Sequence, residues 1–195
     1  MGLEEYRRKR NLRSTPEPAG GRRRPGHRPR FVIQKHDASS LHYDVRLEAD
    51  GVLKSWAVPK GPSTDPRDKR LAVPTEDHPL DYADFEGVIP QGQYGAGTVI
   101  VWDTGTYENL THDRRDEPTP VARAIEDGHL VVRLEGSKLT GGYAFTRTGS
   151  GDDARWLLVK TDDEGADARR RPTSTQPESV ISGRTVGEVA EASAR

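Results

Sequence analysis

From Arg30 onward the chain alternates with a period of two. In the stretch Leu41–Glu48, the residues Leu41, Tyr43, Val45 and Leu47 fall on one side of an extended strand. His42, Asp44, Arg46 and Glu48 fall on the other. Similar short patterns, broken by Gly, Pro and Asp, predict strands over 30–36, 41–48, 52–58, 69–74, 97–103, 128–135, 138–147 and 154–160. Asp50-Gly51 lies between two of them and predicts a tight antiparallel hairpin, because glycine accepts the positive φ of the turn. Helical signals are few. A proline precedes VARAIED and Gly128 follows it, which predicts one short helix over 119–127, and a second fits near 185–193. The fold class is therefore mainly β: a compact antiparallel barrel of about eight strands with one or two short helices.

The ends read differently from the middle. LEEYRRKR over 3–10 can begin a short helix, but the prolines and glycines from Pro16 to Pro29 enforce an irregular path. Past Lys160 the chain is polar and poor in aromatics. The organisation predicted is a basic arm over 1–29, a barrel over 30–160 and a mobile polar tail over 161–195. With 195 residues and 32% hydrophobic content, the chain has material for one modest core.

Charge sharpens this division. The net charge is −1, yet residues 1–30 carry +7 and the rest carries −8. A basic arm suits a phosphate backbone, where each neutralised phosphate releases counterions; the plain alternative is a solvated tail. No stretch approaches the roughly 18 apolar residues of a membrane span, and the first residues lack the apolar core of a secretory signal, so a cytoplasmic, nucleoid-associated protein is expected. Zero cysteines exclude disulfides, thiolate metal sites and a cysteine nucleophile. Any metal must then take imidazole and carboxylate ligands, which points to manganese, iron or zinc.

The polar face of the strand over 41–48 carries the chemistry. His42-x-Asp44 alone fits an ordinary solvated strand surface. His36 ends the preceding strand, however, and a short turn brings its imidazole back over the same face. Two imidazoles and one carboxylate leave open coordination positions, as a catalytic metal site requires. Arg46 lies two residues beyond Asp44 on that face, and Lys60 and Arg70 follow in the next strand connection. Such cations suit a phosphate ester, although each is also compatible with plain surface charge. The loop TEDHPLDYADFEG adds Glu76, His78 and Tyr82, where His78 is open to reading as a third ligand, a phosphate contact or a proton donor. His27, His112 and His129 have no partner pattern.

At this point the residues carry a resemblance. QKHDASSLHYDVRLEADGVLKSWAVPKGPS, followed by KRLAVPTEDHPLDYADFEGVIPQGQYGAGTVIVWD, closely resembles the 3′-phosphoesterase domain of bacterial DNA ligase D. LEEYRRKRNLRSTPEPAG resembles that domain's beginning, and WLLVKTDDEGA with PESVISGRT resembles its end. The resemblance spans roughly residues 3–185 and implies a β-barrel and a Mn-dependent enzyme (other divalent transition metals being possible). Such an enzyme removes a 3′-terminal ribonucleotide by diester cleavage and then clears the remaining 3′-phosphate. Its substrates would be DNA or DNA/RNA 3′ ends in a primer–template duplex, met during nonhomologous end joining. Carried onto this chain, the ligands are His36, His42 and Asp44, and Arg46 and His78 hold the phosphate. Lys60, Arg70, Glu76 and Tyr82 support them, with Arg10 and Glu17 from the first motif.

Two departures limit the resemblance. A chain of this length has no room for polymerase or ligase domains, so it resembles the free-standing form, expected to be monomeric and to meet an ATP-dependent DNA ligase and other end-joining proteins as separate partners. Asn11 stands where the family commonly has Asp after the Lys-Arg pair. Two other classes remain open on residues alone. One is a noncatalytic DNA-end-binding module with a structural metal, and the other is a non-haem iron oxygenase whose triad uses His42, Asp44 and His78.

Overall fold

A computed structural model describes residues 2–21, 26 and 28–195. Among the described residues nine strands form: β1 (Arg30–Asp37), β2 (Leu41–Ala49), β3 (Val52–Val58), β4 (Arg70–Pro79), β5 (Gly87–Ile89), β6 (Gly97–Asn109), β7 (His129–Gly136), β8 (Thr140–Thr148) and β9 (Arg155–Lys160). Four helices accompany them: α1 (Glu4–Arg8), α2 (Val121–Asp127), α3 (Pro172–Thr175) and α4 (Val186–Ser193). All pairings are antiparallel, in the order β1-β2-β3-β4-β9-β8-β7-β6, and β6 returns to β1 to close an eight-stranded barrel. The short β5 adds a ninth strand along β6. The predicted mainly β barrel is the fold found.

Several elements follow directly from local chemistry. Asp50 and Gly51 both take positive φ, 52° and 77°, which is the twist a two-residue hairpin needs to join β2 to β3. Gly128, at φ 84°, ends α2 in the left-handed conformation. Other boundaries depend on tertiary pairing and run past the sequence pattern. β4 extends to Pro79 and β6 to Asn109, while β5 and the 3-10 turn over Leu80–Asp84 carry no periodic signal of their own.

Alternation divides the apolar residues between two cores. Phe31, Ile33, Tyr43, Val45, Leu47, Trp56 and Trp102 point into the barrel. Val32 and Leu53 point out of it, against Tyr6, Leu80, Tyr82, Phe85 and Ile89. The second core is thus a sandwich between the outer wall of β1–β4 and β6 and a cover made from the N-terminal arm and residues 80–97. The polar face of β2 lies within this sandwich, so it is buried where a strand surface alone would be solvated: Asp44 is 6% exposed.

The arm belongs to the folded body. Tyr6 is 0% exposed, its hydroxyl donates to the Pro18 carbonyl at 2.6 Å, and Leu3 and Leu12 pack beside it. Tyr6→Ala is expected to cost about 3 kcal/mol and to lower the melting temperature by about 6–12 °C, as measured by thermal unfolding. Arg22–Arg24, part of the charge that defines the arm in sequence, and His27 lie outside the described residues.

The polar tail over 161–195 makes defined contacts with the barrel. Trp102 Nε1 donates to the Gln176 carbonyl at 2.8 Å, the Val180 amide donates to the Val101 carbonyl at 2.9 Å, and Lys138 Nζ reaches the carbonyls of Gln176 and Glu178. Backbone groups that any composition supplies make many of these contacts, so low apolar content says little about them. α4 begins with a capping box in which Thr185 and Glu188 satisfy each other's backbone amides. Among the described residues, no helix is long and apolar enough to cross a membrane.

Candidate active site

The register of β1 and β2 assembles the first part of the site. His36 stands directly opposite His42, and Gln34 opposite Asp44, with their side chains on the outer wall. The imidazole centroids are 4.8 Å apart. Asp44 Oδ2 lies 3.6 Å from His36 Nδ1 and 3.5 Å from His42 Nε2. One ligand atom from each of the three residues falls within 4.8 Å of the others.

Both imidazoles are oriented by their far nitrogens. His36 Nε2 donates to the Gly95 carbonyl at 2.8 Å, and His42 Nδ1 donates to the Ser40 carbonyl at 3.1 Å. Those bonds place the protons away from Asp44 and leave His36 Nδ1 and His42 Nε2 with lone pairs facing it, the arrangement of a metal-ligating imidazole with its backbone partner. The donor set fits a divalent transition metal. Electrostatics agree. Burial raises the Asp44 pKa, but the Arg46 guanidinium and the two imidazoles outweigh it and hold the carboxyl well below the usual carboxylate range. Burial lowers the His42 pKa, and the hydrogen bond that the protonated ring would make to Asp44, with the Asp44 charge, turns the net shift upward.

Arg46 links this group to a second one. Its Nη2 lies 3.3 Å from Asp44 Oδ2, and its Nε donates to Gln34 Oε1 at 2.8 Å. Gln34 in turn donates to the Tyr82 and Phe85 carbonyls, which locks the fork against the cover. His78, near the end of β4, sits between two guanidiniums: Arg46 Nη1 is 3.1 Å from its Nδ1, and Arg10 Nη2 is 3.2 Å from its Nε2. Nδ1 also lies 2.8 Å from the Glu76 carbonyl, so the tautomer protonated at Nδ1 donates there and accepts from Arg10 at Nε2. Burial, then Arg46 and Arg10, push the His78 pKa well below its ordinary value, and the ring is neutral.

The arm supplies the remaining framework. Arg10 donates to Glu17 at 2.9 Å and to Glu76 at 2.8 Å, and Lys9 reaches Glu76 at 3.2 Å. Tyr82 donates its hydroxyl to Glu17 at 2.8 Å, and burial followed by the Glu17 charge raises its pKa well above 10. These charges are paired and hydrogen-bonded, the condition under which ionic groups tolerate burial. Between the wall and the cover lies a cavity of about 250 Å³. Arg10, His36, His42, Asp44, Arg46, Glu76, His78 and Tyr82 all line it, and Glu17 buttresses it from behind.

Two residues proposed from sequence are not brought there. Lys60 is exposed on the turn after β3, and Arg70 stands opposite Leu158 on β9 and pairs with Asp68 at 3.5 Å; neither lines the cavity. Asn11 is exposed, and its side chain accepts from the Arg13 amide at 3.2 Å, a local turn outside the cavity lining. His78 stands with the arginines and outside the His36, His42 and Asp44 group, so the oxygenase triad that would use it is not assembled. Sequence reading missed Gln34, Lys9, Tyr94 and Gly95. Gln34 was accessible in principle, since it alternates with His36 on the outward face; the Gly95 contact depends on how a loop folds back and leaves no pattern.

The site joins a three-ligand group, suited to a divalent cation, to a pair of guanidinium forks suited to phosphate oxygens. That combination defines the chemistry of a phosphate-ester site on the outer wall of a barrel. The chain belongs to the DNA ligase D 3′-phosphoesterase domain family, whose pattern matches residues 34–147. It is 52% identical over 99% of its length to the multifunctional non-homologous end joining protein LigD of Pseudomonas aeruginosa, covering 23% of that protein. The multifunctional non-homologous end joining DNA repair protein LigD of Mycobacterium tuberculosis is 49% identical over 80% of the chain, and the multifunctional non-homologous end joining protein LigD of Mycolicibacterium smegmatis 42% over 83%; the chain covers 19% and 21% of them. It therefore spans less than a quarter of the length of these curated relatives.

Proposed function

We propose that the protein is a Mn-dependent DNA 3′-end-healing phosphoesterase that removes a 3′-terminal ribonucleoside and then the remaining 3′-phosphate, preparing ends for nonhomologous joining by a ligase. The observation that carries this reading is the shared cavity: the lone pairs of His36 and His42 face Asp44 on one side, and Arg46 and Arg10 flank His78 on the other.

Manganese, or another divalent transition metal held by His36, His42 and Asp44, would supply Lewis-acid polarisation of a phosphoryl oxygen and an acidified water. Arg46 is already fixed by Gln34 at Nε and by Asp44 at Nη2, so its fork meets charge developing on the phosphoryl oxygens without reorganising. Arg10 does the same from the arm, with Glu17 and Glu76 orienting its fork. Neutral His78 sets the spacing between the two guanidiniums. Loss of the sugar alkoxide requires a proton. His78 directs its Nδ1–H to the Glu76 carbonyl and Tyr82, which lines the cavity, directs its hydroxyl proton to Glu17, so the leaving alkoxide takes its proton from Tyr82 or from solvent, two routes that Tyr82→Phe separates. Along the first route, Tyr82→Phe is expected to lower kcat about a hundredfold with a smaller change in KM, as measured by steady-state release of phosphate.

The decisive experiment incubates a labelled primer–template carrying one 3′ ribonucleotide with the protein and Mn, and resolves the products in time. A strand one nucleoside shorter with a 3′-phosphate, followed by its 3′-hydroxyl form, is expected. Tight binding of the 3′ end without turnover at any Mn concentration would reduce the protein to an end-binding module.

A further inference from the structure

Tyr94 is an anomaly in the cavity wall. The other aromatic lining it, Tyr82, is buried, whereas Tyr94 is 47% exposed. Among the described residues, it is the one exposed large apolar side chain that borders the cavity. Its support is rigid. The segment folds through turns in which the Gln93 amide donates to the Pro90 carbonyl and the Ala96 amide to the Gln93 carbonyl, both at 3.1 Å. The next residue, Gly95, takes φ +73° and holds His36 through its carbonyl. The ring is therefore registered to the three-ligand group by a single peptide unit.

The ring is also registered to the phosphate side. Arg10 lies 5.2 Å from the Tyr94 centroid and 4.1 Å from that of Tyr6, and Lys9 Nζ lies 5.1 Å from Tyr94. A cavity of about 250 Å³ is smaller than the roughly 300–1,000 Å³ of pockets that engulf a drug-sized ligand. A phosphate gripped by the guanidiniums must therefore carry its nucleoside across the rim, where the half-exposed Tyr94 stands.

We propose that Tyr94 is the stacking platform for the nucleobase adjoining the scissile phosphate. This role rests on the phosphoesterase reading. Because every base presents a π-face, a platform of this kind grips the end without reading its sequence, and the four bases should be cleaved with similar efficiency.

The test compares wild type, Tyr94→Ala and Tyr94→Trp on two Mn-containing reactions: a duplex with an ordinary 3′-phosphorylated nucleotide, and the same duplex with an abasic 3′-phosphorylated sugar. On the ordinary end, kcat/KM of Tyr94→Ala is expected to fall about fivefold to twentyfold, chiefly through KM, and Tyr94→Trp to restore it. On the abasic end, the ratio of wild type to Tyr94→Ala is expected to approach one. An equal loss on both ends would overturn the proposal, since Tyr94 would then act through Arg10, and so would no loss on either. A wild type inert on both substrates would remove the phosphoesterase reading and the stacking role with it. Thermal unfolding of each variant guards against misfolding, and a Tyr94→Ala protein that melts early is replaced by Tyr94→Leu, which keeps apolar bulk but no π-face.

Discussion

His42→Ala is expected to lose both ester cleavages, down to the level of the metal-free protein, while its melting temperature stays within a few degrees of wild type. The imidazole is half-buried at the edge of the cavity, and its bond to the Ser40 carbonyl is local, so little of the fold depends on it. Asp44→Ala is expected to abolish turnover as well but to behave differently on heating. Asp44 is the anionic partner of Arg46, itself 3% exposed, and removing it strands a buried guanidinium at a cost of about 3–5 kcal/mol. Calorimetric titration with Mn beside a melting curve separates the two effects. Near wild-type turnover in either variant would place the metal elsewhere.

Arg46→Ala is expected to lower kcat by about a hundredfold to a thousandfold, the loss seen when one preorganised donor to a developing oxyanion is removed. Its contact with Asp44 means that the metal group is also disturbed, so Arg46→Lys is the informative companion. Lysine keeps a charge near Asp44 but cannot span Gln34, Asp44 and a phosphate oxygen with one planar fork. If Arg46 acts on the phosphate, Arg46→Lys retains Mn affinity and remains slow. Activity that instead tracks Mn affinity across both variants would assign Arg46 to the metal group.

Much of the barrel is legible in the chain because its strands alternate cleanly and its tightest hairpin carries Asp50-Gly51. The first part of the candidate site is legible for the same reason: alternation puts His42, Asp44 and Arg46 on one face, and a short link returns His36 to it. What alternation cannot reveal is which face is covered. The polar side of β2 reads as solvated, and it is buried only because Tyr6, Leu80 and Phe85 arrive from elsewhere in the chain. Lys60 and Arg70 show the converse. Their proximity in sequence to the functional strand suggested a shared site, but Arg70 opens β4 at the end that pairs with β9, away from the cavity. Arg10 and Glu17 carry no local pattern at all. Their meaning arises from contacts with Glu76 and Tyr82 more than sixty residues away, which only the family resemblance anticipated. The contacts that 161–195 makes through main-chain groups lie beyond any reading of side-chain composition.

The two cores on opposite sides of one sheet make the protein modular for engineering. Trp56, Phe145 and Trp156 pack inside the barrel and are not among the residues that line the cavity. Changes to the outer wall alter the chemistry while the interior supports them unchanged. Stability gains made inside the barrel should therefore add to changes at the cavity, whereas changes at Asp44 or Arg46 move stability and chemistry together.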